Sequence, residues 1–250
     1  MKIRADLHVH TVASGHAFST VEEIAREAAA RKLRAVGISD HGPALPGGPH
    51  INYFRALRFL PPFLHGVRLL KGVEANLTDR KGRLDLPPEL LEQLDYVMVG
   101  FHEGCGLKPS TTAGNTGALV AAMQRPRVRV RVLTHPGNPG FPVDISALAE
   151  AACELGVALE INNSSFGRSP TRQGSLERCS ALAAAVARVG GPIALSSDAH
   201  VAGQVGEVHD AWRVASAAGI RPEQVVNRTY SGLMRFLGLD AEDAAEAPVS

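Results

Sequence analysis

Short runs of β-branched and apolar residues recur along the chain, and longer stretches with helical spacing separate them. The runs fall near residues 2–8 (KIRADLH), 34–40 (RAVGISD), 67–74 (VRLLKGVE), 95–102 (DYVMVGFH), 129–135 (RVRVLTH), 157–162 (VALEIN) and 192–198 (PIALSSD), and each predicts a strand. In the first helical stretch, STVEEIAREAAARK, Ser19 and Thr20 precede Glu22 and Glu23, a capping residue followed by an acidic first turn. ISALAEAACELG closes at Gly156, SLERCSALAAAVARVGG at Gly190 and AWRVASAAG at Gly219. Glycine ends helices readily because it accepts the left-handed conformation.

Strands that alternate with helices imply right-handed crossovers and a parallel sheet. Seven such units in 250 residues predict an α/β protein with one closed barrel, and a doubly wound open sheet is the alternative. RVRVRV at 127–132 departs from the pattern, because a buried parallel strand should be apolar on both faces. Its early part is expected at the exposed bottom of the barrel, with a basic patch for nucleic acid as the weaker reading. Residues 1–240 are expected to form the domain, and the small, acidic segment 241–250 to fray.

Composition narrows the function classes. The formal net charge of +1 points to no nucleic acid and no membrane surface. The opening MKIRADLHVH lacks the apolar core of a secretory signal, and no apolar run is long enough to span a bilayer. Cys105, Cys153 and Cys179 are odd in number and form no zinc-ribbon or CxxC spacing, so a cytoplasmic protein is expected.

The chemistry gathers at the strand ends. His8 and His10 straddle the end of the first strand, and residues two apart on a strand point to the same side. The second strand ends in Asp40 and His41, the third in Glu74, the fourth in His102, the fifth in His135 and the last in Asp198 and His200. The sixth ends in the neutral pair Asn162 and Asn163. In parallel barrels these C-terminal ends form the active-site rim. His16 follows in the first loop, close enough to fold over the same mouth. Nine candidate ligands exceed the four or so that one zinc takes, and imidazole with carboxylate but no thiolate suits Zn, Mn or Fe. A centre of two or three ions needs a bridging carboxylate, for which Glu74 is the obvious candidate. His65 is expected at a helix end, His209 within a helix, and His50 in a loop able to cover the mouth.

HVHTVASGHAFST, ISDHGP, GVEAN, GFHE, THPGNPG, LEINNSSF and SSDAH together resemble the motifs of the PHP (polymerase and histidinol phosphatase) family. The resemblance runs from about residue 4 to residue 238 and is closest to the small stand-alone bacterial phosphatases of the YcdX-like group. It implies a distorted (β/α)7 barrel holding three divalent ions, Zn with Mn or Fe as alternatives. One ion would take His8, His10, Glu74 and Asp198, a second Glu74, His102 and His135, and a third His16, His41 and His200. It further implies phosphate-ester hydrolysis by a metal-bridging hydroxide, with Glu74, Asp198 and His200 as catalytic residues, a small phosphate ester as substrate, and a homo-oligomer such as a trimer.

Asp6 and Asp40 are candidates to orient ligand imidazoles. Asn162, Asn163, Ser164 and Arg168 follow the sixth strand and are candidates to touch the phosphate or leaving group, with loop-structuring roles as the alternative. Lys108, in the loop 104–116, belongs to a segment better read as plain surface. Two other reactions share parts of this pattern. An amidohydrolase-like enzyme also carries HxH after strand one but uses a carboxylated lysine or an ordinary two-metal set. A DNA-processing phosphodiesterase would be expected to bring a further domain.

Overall fold

The computed structural model describes residues 1–167 and 172–241, so Arg168 and all but the first residue of the segment 241–250 lie outside the described residues. Among the described residues nine strands form two sheets. The first sheet holds β1 (Ala5–Asp6), β2 (Ala35–Ile38), β3 (Phe63–Leu64) and β4 (Val67–Lys71) in the order β1-β2-β4-β3. The second holds β5 (Glu74–Asn76), β6 (Val97–Gly100), β7 (Val130–Leu133), β8 (Ala158–Asn162) and β9 (Ile193–Ser196) in sequential order. Every pairing is parallel except the short hairpin β3–β4.

Each expected strand is present but shorter than its apolar run. The run 67–74 is split into β4 and the start of β5: the Gly72 N–H still donates to the Ile38 carbonyl of β2 at 2.9 Å, while the Val73 carbonyl already accepts from Met98 of β6 at 2.9 Å, so the chain passes here from one sheet to the other. Packing explains the glycines beside this crossing: a Cβ on Gly72 would lie 2.4 Å from the Tyr96 ring, and one on Gly37 would lie 1.9 Å from its hydroxyl. Tyr96 occupies that space, fully buried, and donates its hydroxyl proton to the Leu7 carbonyl at 2.6 Å. Isolated parallel bridges join Val9 to Ala199 and His41 to Glu74, linking the edges of the two sheets.

Two apolar layers hold the strands. The larger packs their outer faces against α1 (Val21–Ala30), α4 (Thr112–Met123), α5 (Ile145–Glu154), α6 (Ser175–Val189) and α7 (His209–Ala217). The smaller contains one residue from each of β1, β2, β4, β6, β7, β8 and β9, namely Ala5, Ala35, Leu70, Met98, Val132, Ala158 and Ala194. Leu233, Met234 and Leu237 of α8 (Tyr230–Leu237) pack onto that layer. Thr20 caps α1 through a reciprocal box with Glu23, and Gly190 ends α6 in the left-handed region, as the sequence signals imply.

The alternating RVRVRV run has a local explanation. Val128, Val130 and Val132 are buried and Arg129 is exposed. The Arg131 guanidinium donates to the carbonyl of Leu237, the last residue of α8, at 2.9 Å. A cation there satisfies an orphan carbonyl and complements the helix dipole. His65 departs from expectation: it sits in the β3–β4 turn with a φ of 52° and pairs with Glu22 at 2.6 Å. The following Gly66 belongs to a hairpin, not to a helix terminus. Among the described residues no helix is long and apolar enough to cross a membrane.

Candidate metal centre

Eight polar side chains converge where the parallel strands end. His8 and His10 follow β1, His41 follows β2, and Glu74 opens β5. His102 lies two residues beyond β6 and His135 two beyond β7, while Asp198 and His200 come just after β9. Glu74 sits at the middle. Its Oε1 lies 3.1 Å from His102 Nε2 and 2.9 Å from His135 Nε2, and its Oε2 lies 2.9 Å from His41 Nδ1 and 3.2 Å from His8 Nε2. Asp198 Oδ1 lies 3.2 Å from His10 Nε2 and 3.5 Å from His8 Nε2.

His16, the ninth candidate, is exposed in the first loop. Its ring centroid is 5.1 Å from that of His41 and 4.9 Å from that of His200. Ligand atoms of His8, His10 and Asp198 fall within 4.8 Å of one another, as do those of His10, His41 and His200, and those of His41, Glu74 and His102.

The hydrogen bonds behind the imidazoles decide what the inward nitrogens offer. Asn76 donates its amide to Asp85 Oδ2 and the Gly42 carbonyl, so its Oδ1 accepts from His102 Nδ1–H at 2.7 Å. Glu160 Oε1 accepts from His8 Nδ1–H at 2.8 Å. Ser14 donates its hydroxyl to Asp40 at 2.6 Å, so its oxygen accepts from His10 Nδ1–H at 3.2 Å. Nε2 of His10 and of His102 is therefore a bare lone pair facing carboxylate oxygens, and Nε2 of His8 faces them too, as a lone pair whenever that ring is neutral. Acceptors at such distances repel unless a cation lies among them. Fully buried and without a hydrogen-bond partner, His41 Nδ1 and Glu74 Oε2 make the same demand. This donor set, nitrogen and oxygen without sulfur, fits divalent zinc, manganese or iron.

Electrostatics point the same way. Burial drives His10 down to about 3, so it stays neutral and able to ligate. Burial also opposes charge on His8, but Glu74, Glu160 and Asp198 outweigh it and hold His8 well above the ordinary histidine range. For Glu74 and Asp198, burial is outweighed by the surrounding imidazoles, His8 foremost, and both carboxyls lie well below their usual range. A proton on His8 and a divalent ion answer the same negative field, so ion binding displaces that proton.

Within the site two backbone positions carry strain. His135 and Asp198 adopt φ values of 33° and 56°, a region that L side chains rarely enter. Each such residue costs on the order of 1–3 kcal/mol and persists only where its surroundings enforce it. The His135 N–H donates to Glu160 Oε2 at 2.7 Å. Asp198 Oδ2 accepts from Asn162 at 3.1 Å and from Ser164 at 2.8 Å.

The flanking polar candidates resolve differently. Asp6 accepts from the N–H groups of His8, Ser197 and Gly206 and from the Ser197 hydroxyl, so it ties the chain together and orients no imidazole. Asp40 acts at one remove. It accepts from Thr11, Ser14 and Tyr53, and reaches His10 only through Ser14. Asn162 braces Asp198, and Asn163 accepts from the Ala211 N–H in α7; neither lines the cavity above the cluster. His50 caps the short helix α2 (Ile51–Ala56) and also lies off the cavity lining. Lys108 is exposed.

Glu160 escaped the sequence reading, because attention fell on the polar end of VALEIN and not on the acid within it. A charged residue in the middle of a buried strand was the available signal. It holds two candidate ligands at once, so Glu160→Gln is expected to weaken metal affinity by about 10- to 100-fold. Competition with a chromophoric chelator reads that change. Arg172 was also missed: its NH2 lies 3.5 Å from Asp198 Oδ2 and its NH1 is buried without a partner.

Comparison with known proteins agrees with this geometry. The model of the PHP domain matches residues 6–136. A probable phosphatase of Syntrophotalea carbinolica is 47% identical over 240 residues, covering 96% of this chain and 98% of its own. The chain belongs to the PHP domain family. A probable phosphatase of Caldanaerobacter subterraneus, 44% identical, covers 95% of this chain and 92% of its own. Among solved structures, histidinol phosphate phosphatase from Lactococcus lactis, complexed with zinc, L-histidinol and phosphate, superposes with a TM-score of 0.61. That similarity covers 88% of this chain and 95% of the other at 18% identity, a likeness of fold. PHP membership places the clustered histidines in a family whose relatives here are named as phosphatases.

Proposed function

We propose that the protein is a metal-dependent phosphatase that hydrolyses small phosphate monoesters at a centre of three divalent ions. The observation that carries this reading is the set of imidazole nitrogens facing Glu74 and Asp198, bare on His10 and His102 and released on His8 when its proton leaves, which is a ready donor set for cations. Glu74 would bridge, with one oxygen toward His102 and His135 and the other toward His8 and His41. His8, His10 and Asp198 would complete one position, and His16, His41 and His200 would serve the outermost. The strands belong to one distorted (β/α)7 barrel, a reading supported by the Val9–Ala199 and His41–Glu74 bridges and by the interior layer drawn from seven of the nine strands.

Phosphate monoesters are among the slowest compounds to hydrolyse unaided, needing acceleration up to about 10²¹, and one general base supplies only about 10²–10⁴. Bound ions supply the remainder by acidifying water and neutralising phosphoryl charge. The residues fix where that happens. Glu160, Asn76 and Ser14 lock His8, His102 and His10 in the ligating tautomer. His200 donates Nδ1–H to the Asp198 carbonyl at 2.9 Å, leaving Nε2 for a cation or a substrate oxygen at the mouth. Arg172 brings an unpaired guanidinium N–H to the same cavity, where a phosphoryl dianion is its natural partner. A cytoplasmic setting fits three free thiols.

The test is turnover of a simple phosphomonoester by protein reconstituted with zinc, manganese or iron, beside amide and lactone substrates. Hydrolysis of the phosphate that a chelator abolishes is expected; turnover of the amides or lactones alone sinks the reading. Arg172→Ala is expected to lower kcat/KM by about 100-fold with metal content unchanged, and Arg172→Lys to recover only part, since a point charge lacks the planar fork. Steady-state kinetics with elemental analysis of the same samples decides it.

A further inference from the structure

The cavity above the cluster has two chemically distinct parts. Its polar part is lined by the candidate ligands other than His8 and His10, and by Arg172. The rest of its lining includes an apolar wall made by Leu45, Phe101, Leu119, Pro136 and Phe141. Phe101 directly precedes His102 and Pro136 directly follows His135, so the wall begins where the ligands end. The rings of Phe101 and Phe141 stack with centroids 4.7 Å apart and planes within 4°. Leu119 and Phe141 are buried, so the wall is a supported surface and not a set of loose side chains. The cavity volume of about 320 Å³ admits a phosphoryl group with one small organic group beside it.

Resting on the phosphatase reading above, we propose that this wall selects the leaving alcohol: the preferred substrates are phosphate monoesters of alcohols that carry a flat apolar or aromatic group, not polyol or sugar phosphates. With its phosphoryl group over the cluster and Arg172, a substrate that turns its organic group into the rest of the cavity meets this wall. A sugar hydroxyl against Phe101 and Phe141 loses its water and gains no hydrogen bond, whereas a ring removes apolar surface from water and stacks. Glu103 and Asn138 line the same cavity and leave room for one polar substituent on such a group.

The experiment compares benzyl phosphate with glycerol 2-phosphate, whose alcohols are of comparable acidity, so differences in kcat/KM report recognition and not leaving-group chemistry. A preference for benzyl phosphate of about 10- to 100-fold is expected from the metal-reconstituted protein. Phe141→Ser should bring the ratio down by at least about tenfold, and Phe141→Leu, which keeps the apolar contact and guards against misfolding, should lower it less. Turnover of both esters with a ratio at or below one overturns the inference while the phosphatase reading stands. An unchanged ratio in well-folded Phe141→Ser overturns it too. No turnover of either ester with any of the three metals overturns both.

Discussion

Glu74→Gln is expected to strip most of the divalent metal from the protein and to cut phosphomonoester kcat/KM by at least about 10²–10³-fold, more than any single histidine substitution. The reason is its central position. Glu74 alone has both carboxylate oxygens facing ligand nitrogens, 2.9 to 3.2 Å away, on four different histidines. Loss of one imidazole leaves the other ions their donors, whereas loss of this charge affects every position that it bridges. The amide keeps the shape of the side chain, so near-native circular dichroism should accompany the loss. Elemental analysis is decisive: a variant holding its full complement of metal would show that Glu74 does not bridge.

Chelation is expected to lower the melting temperature by roughly 10 °C, in addition to abolishing activity. A ligand that binds only the folded protein stabilises it by about 4 kcal/mol at a concentration a thousand times its Kd. A chain of this size shifts by about 2–4 °C per kcal/mol. The geometry supplies a further reason. Glu74 and His8 are fully buried and Asp198 nearly so, and without an ion their mutual field is left to the proton on His8, the neighbouring imidazoles and Arg172. Differential scanning calorimetry before and after dialysis against a chelator, with readdition of zinc, reads the shift. An unchanged melting temperature in protein proven metal-free would mean that the cluster is not a metal centre.

Much of this was visible before folding was considered. Periodicity located seven stretches that hold the parallel strands, because a strand buried on both faces is rich in apolar residues, but it missed the short β3 and did not separate β4 from β5. Strand ends were less legible. Strand β1 shrank from residues 2–8 to Ala5–Asp6, because ladder hydrogen bonds depend on the neighbouring strand and not on local apolarity. The split of 67–74 is a change of sheet set by the neighbouring strands, and the need for glycine at 37 and 72 lies in Tyr96, which is remote in sequence from Gly37 and enters the space that both glycines leave. His65 was misplaced because a histidine before glycine reads alike at a helix end and in a hairpin turn.

By itself, the sequence determined the alternation of strands and helices and the identity of the nine clustered donors. Strand period and strand ends are local properties, and His, Asp and Glu at successive C-terminal ends must share one rim once the strands pair in parallel. Only the tertiary structure decided which nitrogens are bare, that Glu160 and Asn76 set them so, and that Arg172, Phe101 and Phe141 share a cavity with them. Those facts depend on side chains tens of residues apart meeting at about 3 Å, and no spacing along a chain encodes a contact made across it.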